Sequence, residues 1–142
     1  MLLAASALAA VPLHAQSIKP TTNMAFGRFA AGSGGAITVA HTGARTRSGG
    51  VILLPSTAAA AGFTLQVPAN GKQLIITLPA NGTASLVSGA NSMALTNFVS
   101  SRANGSLASG VQPLNVGATL QVAPNQKPGN YSGTFHVLVE YQ

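Results

Sequence analysis

Hydrophobic and polar residues alternate with a period of two along most of the chain after residue 34. Turn-forming residues separate the alternating segments, as in chains built from strands that bury one face. The segments cover residues 36–40, 51–54, 63–67, 74–78, 93–96, 119–122 and 131–141. This pattern predicts an all-β fold, an immunoglobulin-like antiparallel β-sandwich of about seven to nine strands.

The last segment has the clearest alternation. One of its faces carries Tyr131, Phe135, Val137, Val139 and Tyr141, and the other carries Ser132, Thr134, His136 and Glu140. Because successive side chains of a strand point to opposite faces, we expect the first set to fill the core and the second to face solvent.

Turn residues support the same fold. Asn-Gly favours the positive φ angles of tight hairpins, and the chain has Asn70-Gly71, Asn81-Gly82 and Asn104-Gly105. Prolines are expected at strand ends, where a missing N–H costs little. They are Pro55, Pro68, Pro79, Pro113, Pro124 and Pro128. The alanine run at residues 58–61 is expected to form at most one helical turn.

The first residues have the pattern of a secretory signal. Residues 1–15 are almost entirely apolar and end in a small residue, Ala15, which predicts cleavage before Gln16. The alternative is a buried N-terminal helix. No later segment approaches the roughly 20 apolar residues of a membrane-spanning helix. We therefore expect a single exported domain over residues 16–142, in the periplasm, at the cell surface or outside the cell.

Charged residues make up only 6% of the chain, with a formal net charge of +6. The basic residues are dispersed, only Arg45 and Arg47 lie close together, and aromatic residues do not interleave with them. Nucleic-acid grooves combine clustered cations with stacking aromatics, so no nucleic-acid partner is expected. We interpret the charge as solvation. The chain has no Cys, and so no disulfide or thiolate chemistry.

Side chains suited to catalysis are few after residue 15. They are His41, His136 and the one carboxylate, Glu140. His136 and Glu140 lie four residues apart on a predicted strand, about 13 Å along it, too far for a catalytic pair. The glycine-rich stretch at residues 32–35 lacks the lysine of a phosphate loop. We expect no enzyme, no catalytic residue, no cofactor and no metal site.

Several ordered motifs resemble a family of secreted bacterial domains known as domain of unknown function 4402. The motifs are Met24-Ala25-Phe26-Gly27, residues 34–39, Gly43-Ala44-Arg45 with residues 48–50, and residues 63–67, 75–79, 116–122 and 128–141. The resemblance covers nearly all of the chain after residue 16. It implies an exported β domain but no particular biochemical activity.

The C-terminal segment also resembles the terminal strand of pilins assembled by the bacterial chaperone–usher route. Gly129 lies fourteen positions from the end and Tyr141 is penultimate, as in those subunits. The resemblance implies a periplasmic chaperone, an outer-membrane usher or other pilus subunits as partners. It assigns strand addition to Gly129, Tyr131, Phe135, Val137, Val139 and Tyr141. The alternative is the ordinary last strand of a complete sandwich.

The leading functional hypothesis is therefore an exported structural subunit of fimbrial type that acts through β-strand addition. Residues 16–23 contain one large apolar residue, Ile18, and a proline, so the chain is a poor strand donor although it could accept one. The alternative is a secreted or periplasmic β-sandwich that binds carbohydrate or another surface polymer. The absence of Trp and the scarcity of Tyr weigh against that alternative.

Overall fold

Strands account for nearly all the regular structure of the chain. The computed structural model describes residues 3–12, 18–67, 73–106 and 109–141. Its strands are β1 Leu3–Pro12, β2 Ile18–Thr22, β3 Gly27–Ala30, β4 Gly35–Val39, β5 Arg45–Gly49, β6 Ile52–Leu53, β7 Ala61–Val67, β8 Gln73–Thr77, β9 Ala84–Ser88, β10 Asn91–Ser100, β11 Gly105–Ser106, β12 Gly110–Val122 and β13 Asn130–Tyr141. Within these ranges no helix is present, and so none could cross a bilayer.

The strands pair into one continuous curled sheet. Its main path runs β2-β7-β12-β10-β9-β13-β1-β3-β6. The long strand β12 organises one half, since it pairs with β7 through its first residues, with β4 through its last, and with β10 along its other edge. Among the described strands, every pairing is antiparallel except that of β1, which runs parallel to β13.

The two halves of the sheet face each other across one hydrophobic core. Phe63 of β7 and Phe135 of β13 are both buried, although three strands separate them along the path. Phe98 of β10 packs against Phe135 at a centroid distance of 5.2 Å. The core also includes Leu65, Leu95 and residues from β2, β3, β4, β8, β9 and β12, whereas β5 contributes none.

The predicted all-β sandwich is confirmed. The structure has thirteen strands in its described ranges, against the seven to nine expected. Two of the additional strands, β6 and β11, contain two residues each. Another, β5, has a polar sequence with four exposed residues, so it carries no apolar alternation that would reveal it.

The turn residues, prolines and alanine run lie only partly where the sequence predicted them. Asn81-Gly82 forms the turn before β9, with Gly82 at φ 77°, whereas Asn70-Gly71 lies outside the described residues. The expected position of Pro113 at a strand end was wrong, because it lies inside β12. β12 is paired with β7 there, and β10 joins its other edge only from Val116, so a missing N–H is tolerated. The alanine run forms no helical turn, and Ala61 begins β7.

Candidate functional site: the slot between β3 and β13

A buried tyrosine holds the start of β13. The Tyr131 hydroxyl donates to the carbonyl oxygen of Lys127 and accepts from Nε2 of Gln126 at 3.1 Å. Nε2 of Gln126 also donates to the carbonyl oxygen of Ser92 at 3.2 Å. A tyrosine that bonds the backbone a few residues upstream is like the tyrosine corner of immunoglobulin-type sandwiches. The network positions β13 against the start of β10.

Gly129 lets the chain approach β9 closely just before β13 begins. A Cβ at this position would lie 2.6 Å from Oγ of Ser88, the last residue of β9. Tyr131 and Gly129 therefore both serve to place the first residues of β13.

The inward face of β13 is as the sequence predicted. Tyr131, Phe135, Val137 and Val139 are at most 2% exposed. The alternate positions at 132, 134, 136 and 140 are exposed. The main chain of Tyr141 pairs with Leu74 of β8, and its side chain lies outside what the structure describes. Of the sequence-predicted site residues, Gly129 thus lies just before β13 and the other five lie in it, with the four described side chains on its buried face.

The candidate site is formed by one edge of β13 and one edge of β3. Residues 130–137 of β13 pair with β1 in parallel, and residues 27–29 of β3 pair with β1 in antiparallel fashion. β1 therefore lies between β3 and β13 and joins them in the sheet. We call the space between these two edges the β3–β13 slot. Its occupant is the segment that the sequence predicts to be a cleaved signal peptide.

Glycine is required on the β3 side of the slot. Gly27 has φ +78°, a conformation that side-chain-bearing residues rarely adopt. A Cβ there would also lie 2.5 Å from both Nη1 of Arg45 and Oγ of Ser56. Gly27 pairs with Ala5 of β1, and the buried Phe29 pairs with Leu3. The backbone of β3 thus depends on a glycine at the point where it meets β1.

Arg45 fastens β3 to the chain that follows β6. Its guanidinium donates from Nη2 to the Leu54 carbonyl oxygen at 2.8 Å. Nη1 lies within hydrogen-bond distance of the carbonyl oxygens of Phe26 (3.0 Å) and Arg28 (3.2 Å) and of Oγ of Ser56 (3.3 Å). The interpretation of the basic residues as mere solvation was wrong for Arg45. Its bonds to main-chain oxygens hold β3 in place independently of β1.

Sequence reasoning missed Gly27, Phe29 and Arg45 as site residues. Gly27 and Arg45 do fall in the motifs that carry the family resemblance, Met24-Ala25-Phe26-Gly27 and Gly43-Ala44-Arg45. A glycine or an arginine gives no periodicity signal. Their roles follow from a backbone angle and from hydrogen bonds between segments that are distant in sequence.

The outer edges of the sheet differ from the edges of the slot. The strands β2 and β5, which each pair on one side only, have four exposed residues apiece and carry Lys19, Pro20, Arg45 and Arg47. Short, charged or proline-containing edges discourage pairing with other chains. Along residues 130–137, β13 instead alternates buried apolar and exposed uncharged residues. This edge thus lacks the charges and prolines that discourage pairing with another strand.

The residues considered for catalysis are dispersed. His41 lies in the turn after β4, whereas His136 and Glu140 lie on the exposed face of β13. Among the described residues, no group of three His, Cys, Asp or Glu side chains is placed to hold a metal ion. A cavity of about 350 Å³ is lined by Thr22, His41, Thr42, Gly43, Ala58, Ala59, Ala60 and Asn115. Its lining contains no Phe, Tyr or Trp side chain on which a sugar ring could stack.

The comparison with protein families gives one match over most of the chain. The model of a family described as a domain of unknown function, DUF4402, matches residues 17–141. No curated protein matches the chain significantly. The matched region begins at residue 17, so β2 to β13 lie within it and β1 lies before it.

Proposed function

The chain belongs to the DUF4402 family, and from that premise we propose that it is an exported structural subunit of fimbrial type that assembles by β-strand addition. The family's description names no activity. The proposal therefore rests on the geometry of the β3–β13 slot and on the chemistry of the strands around it.

The observation that carries the proposal is the place of β1. This strand pairs with both β3 and β13. The sequence predicts that residues 1–15, which include β1, are removed at export. A mature chain that begins at Gln16 would lack the strand between β3 and β13.

An empty slot is unfavourable for two physical reasons. The edges of β3 and β13 would carry unpaired N–H and C=O groups, which are costly wherever water cannot reach them. Buried side chains on the two strands that pair with β1, such as Phe29, Phe135 and Val137, would also lose the strand beside them. A strand from another protein would satisfy both needs at once, as in β-strand addition to an open sheet edge.

The proposed role is structural and involves no catalytic step. His41 lies in the turn after β4, and His136 and Glu140 lie on the exposed face of β13. The proposed partners are proteins that present a strand: a periplasmic chaperone, an outer-membrane usher or other subunits of a fimbria.

Isolation of the protein from its producing cell tests this function. A tag inserted in the exposed turn at Gly89 and Ala90 leaves both chain ends and the slot untouched. We expect the isolated chain to begin at Gln16 and to copurify in a defined ratio with a second polypeptide. A chain that begins at Met1, or that is isolated as a monomer, would contradict the proposal.

A matched variant controls for adventitious association. Replacing the small residue before the predicted cut, in Ala15→Tyr, should block processing and keep β1 attached. The slot would then stay filled by the chain's own segment. The variant should retain the fold and lose the copurifying polypeptide, whereas association through another surface would persist.

A further inference from the structure

The direction in which a strand enters the β3–β13 slot follows from the pairing of β1. In the parallel ladder, Ala4 is opposite Asn130 and Val11 is opposite His136. In the antiparallel ladder on the other side, Leu3 is opposite Phe29 and Ala5 is opposite Gly27. The pairings with β13 and with β3 thus give the same orientation for the strand between them. Its N-terminal end lies beside the start of β13.

The register also gives the residue types that the slot accepts. The positions of β1 opposite the inward face of β13 are Ala5 (Tyr131), Leu8 (Gly133), Ala10 (Phe135) and Pro12 (Val137). Each is apolar, and the ten residues of β1 include no charged residue. Tyr131, Phe135 and Val137 of β13 are buried along this pairing, so an unpaired charge placed against them would be costly. The register shifts once, between Ala5 and Leu8, and β1 is apolar on both sides of that shift. The fitting occupant is therefore an uncharged, predominantly apolar extended segment.

A second copy of the mature chain cannot supply this segment from its N-terminus. If cleavage precedes Gln16, the first strand that remains is β2, Ile18–Thr22. β2 pairs with β7 of its own domain, and Ile18 is only 2% exposed. Donation of β2 would remove an edge strand and a core residue from the donor. The N-terminus of a second copy is therefore a poor donor, and we expect the occupant to come from a different polypeptide.

We propose that the β3–β13 slot accepts an uncharged, predominantly apolar strand of a different polypeptide, which runs parallel to β13, and that residues 3–12 hold this place until they are removed. This inference rests on the proposed function, because it names the partner segment of the same site. It adds the orientation, the register and the source of the strand.

Disulfide trapping in the full chain tests the orientation. The chain has no Cys, so every introduced cysteine is unique. Neighbouring strands lie about 4.8 Å apart, within the Cα separation of about 4.4–6.8 Å that a disulfide spans. In the uncut chain, Ala4→Cys should form a disulfide with Asn130→Cys. Failure of this pair to react under mild oxidation would overturn the proposed register.

Exchange with a free peptide then tests the slot as a binding site. A protease site placed between Ala15 and Gln16 allows the folded chain to be cut, and brief exposure to urea releases the N-terminal segment. The probe is a synthetic peptide with the sequence of residues 3–12 that carries either Ala4→Cys or Val11→Cys. The former should link to Asn130→Cys and the latter to His136→Cys, since both positions of β13 are exposed.

The crossed combinations distinguish the outcomes. Asn130 and His136 are six residues apart, about 20 Å along the strand, so a parallel peptide cannot link the wrong ends. Links in the crossed combinations would show an antiparallel strand and overturn this inference, while strand addition itself would stand. No link in any combination after release of the segment would overturn both. A link between Lys19→Cys of one copy and His136→Cys of another would identify a second copy as the donor and contradict the proposed source.

Discussion

Phe63 of β7 and Phe135 of β13 meet edge to face across the core, with ring centroids 6.5 Å apart and ring planes inclined by 82°. The two strands are not neighbours in the sheet, so this contact connects its two halves. Phe135 is also the inward residue of β13 opposite Ala10 of β1. The same side chain thus contributes to the core and to the wall of the β3–β13 slot.

Truncation of Phe135 should strongly destabilise the fold. Phe135→Ala removes the contacts with Phe63 and Phe98, and we expect a loss of about 3–5 kcal/mol in the free energy of unfolding. Thr134→Ala, on the exposed face of the same strand, should cost no more than about 0.5 kcal/mol. Urea denaturation of the full chain measures both. Equal effects of the two substitutions would contradict the assigned faces of β13.

Removal of the Arg45 guanidinium should destabilise β3. Arg45→Ala leaves the carbonyl oxygens of Phe26 and Leu54 without a charged donor, and we expect a loss of about 1–3 kcal/mol. Arg47→Ala is the matched control, because Arg47 donates only locally to the Gly49 carbonyl oxygen, at 3.2 Å. Its cost should stay within about 0.5 kcal/mol. Thermal unfolding compares the two, and a larger effect at Arg47 would refute the role of Arg45.

A side chain at Gly27 should disturb the β3 edge of the slot. Gly27→Ala combines a positive φ with a close approach to Arg45 and Ser56, so we expect a loss of more than about 1 kcal/mol. Gly43→Ala separates the two causes, since Gly43 has φ +92° and nothing within 4 Å of the added Cβ. The difference between the two variants measures the contact with Arg45 and Ser56. Equal losses would mean that this contact has no effect.

The Tyr131 hydroxyl should contribute to stability through its hydrogen bonds. Tyr131→Phe keeps the buried ring and removes the bonds to Lys127 and Gln126. We expect a loss of about 1–2 kcal/mol, with the Gln126 amide still bonded to Ser92. Unfolding of the Gln126→Leu variant alone and combined with Tyr131→Phe gives the coupling between the two residues. Fully additive losses would show that they act independently.

Much of the fold was predictable because burial imposes a period of two. Tyr131, Phe135, Val137 and Val139 could be assigned to the buried face of one strand from their spacing alone. The polar edge strand β5 could not be predicted in this way. It pairs on one side only and buries neither face, so its sequence has no apolar alternation. Arg45 was misinterpreted for a related reason: its bonds connect segments whose proximity only the fold reveals.

The β3–β13 slot could not be predicted from the sequence. The alternation in the terminal strand predicted that the edge of β13 is suited to strand addition. Which strand provides the opposite edge of the slot depends on the order of the strands in the sheet. β3 is far from β13 in sequence, and β1 joins them by one parallel and one antiparallel ladder. Apolar composition predicted that residues 1–15 are a signal. It carried no information on where residues 3–12 pair in the uncut chain.

The central claim, that the domain needs a strand in the β3–β13 slot, is tested most directly by the thermal unfolding of the chain cut between Ala15 and Gln16. The measurement compares the cut chain before release of the N-terminal segment, after its release, and after addition of a peptide with the sequence of residues 3–12. We expect the unfolding midpoint to fall on release and to rise again with peptide. At a hundredfold excess over Kd, the peptide should add about 2.7 kcal/mol to the free energy of unfolding. A peptide with Leu8→Asp should not restore it. A domain that stays monomeric with an unchanged midpoint after release, and that no peptide affects, would be a complete sandwich and would contradict the account.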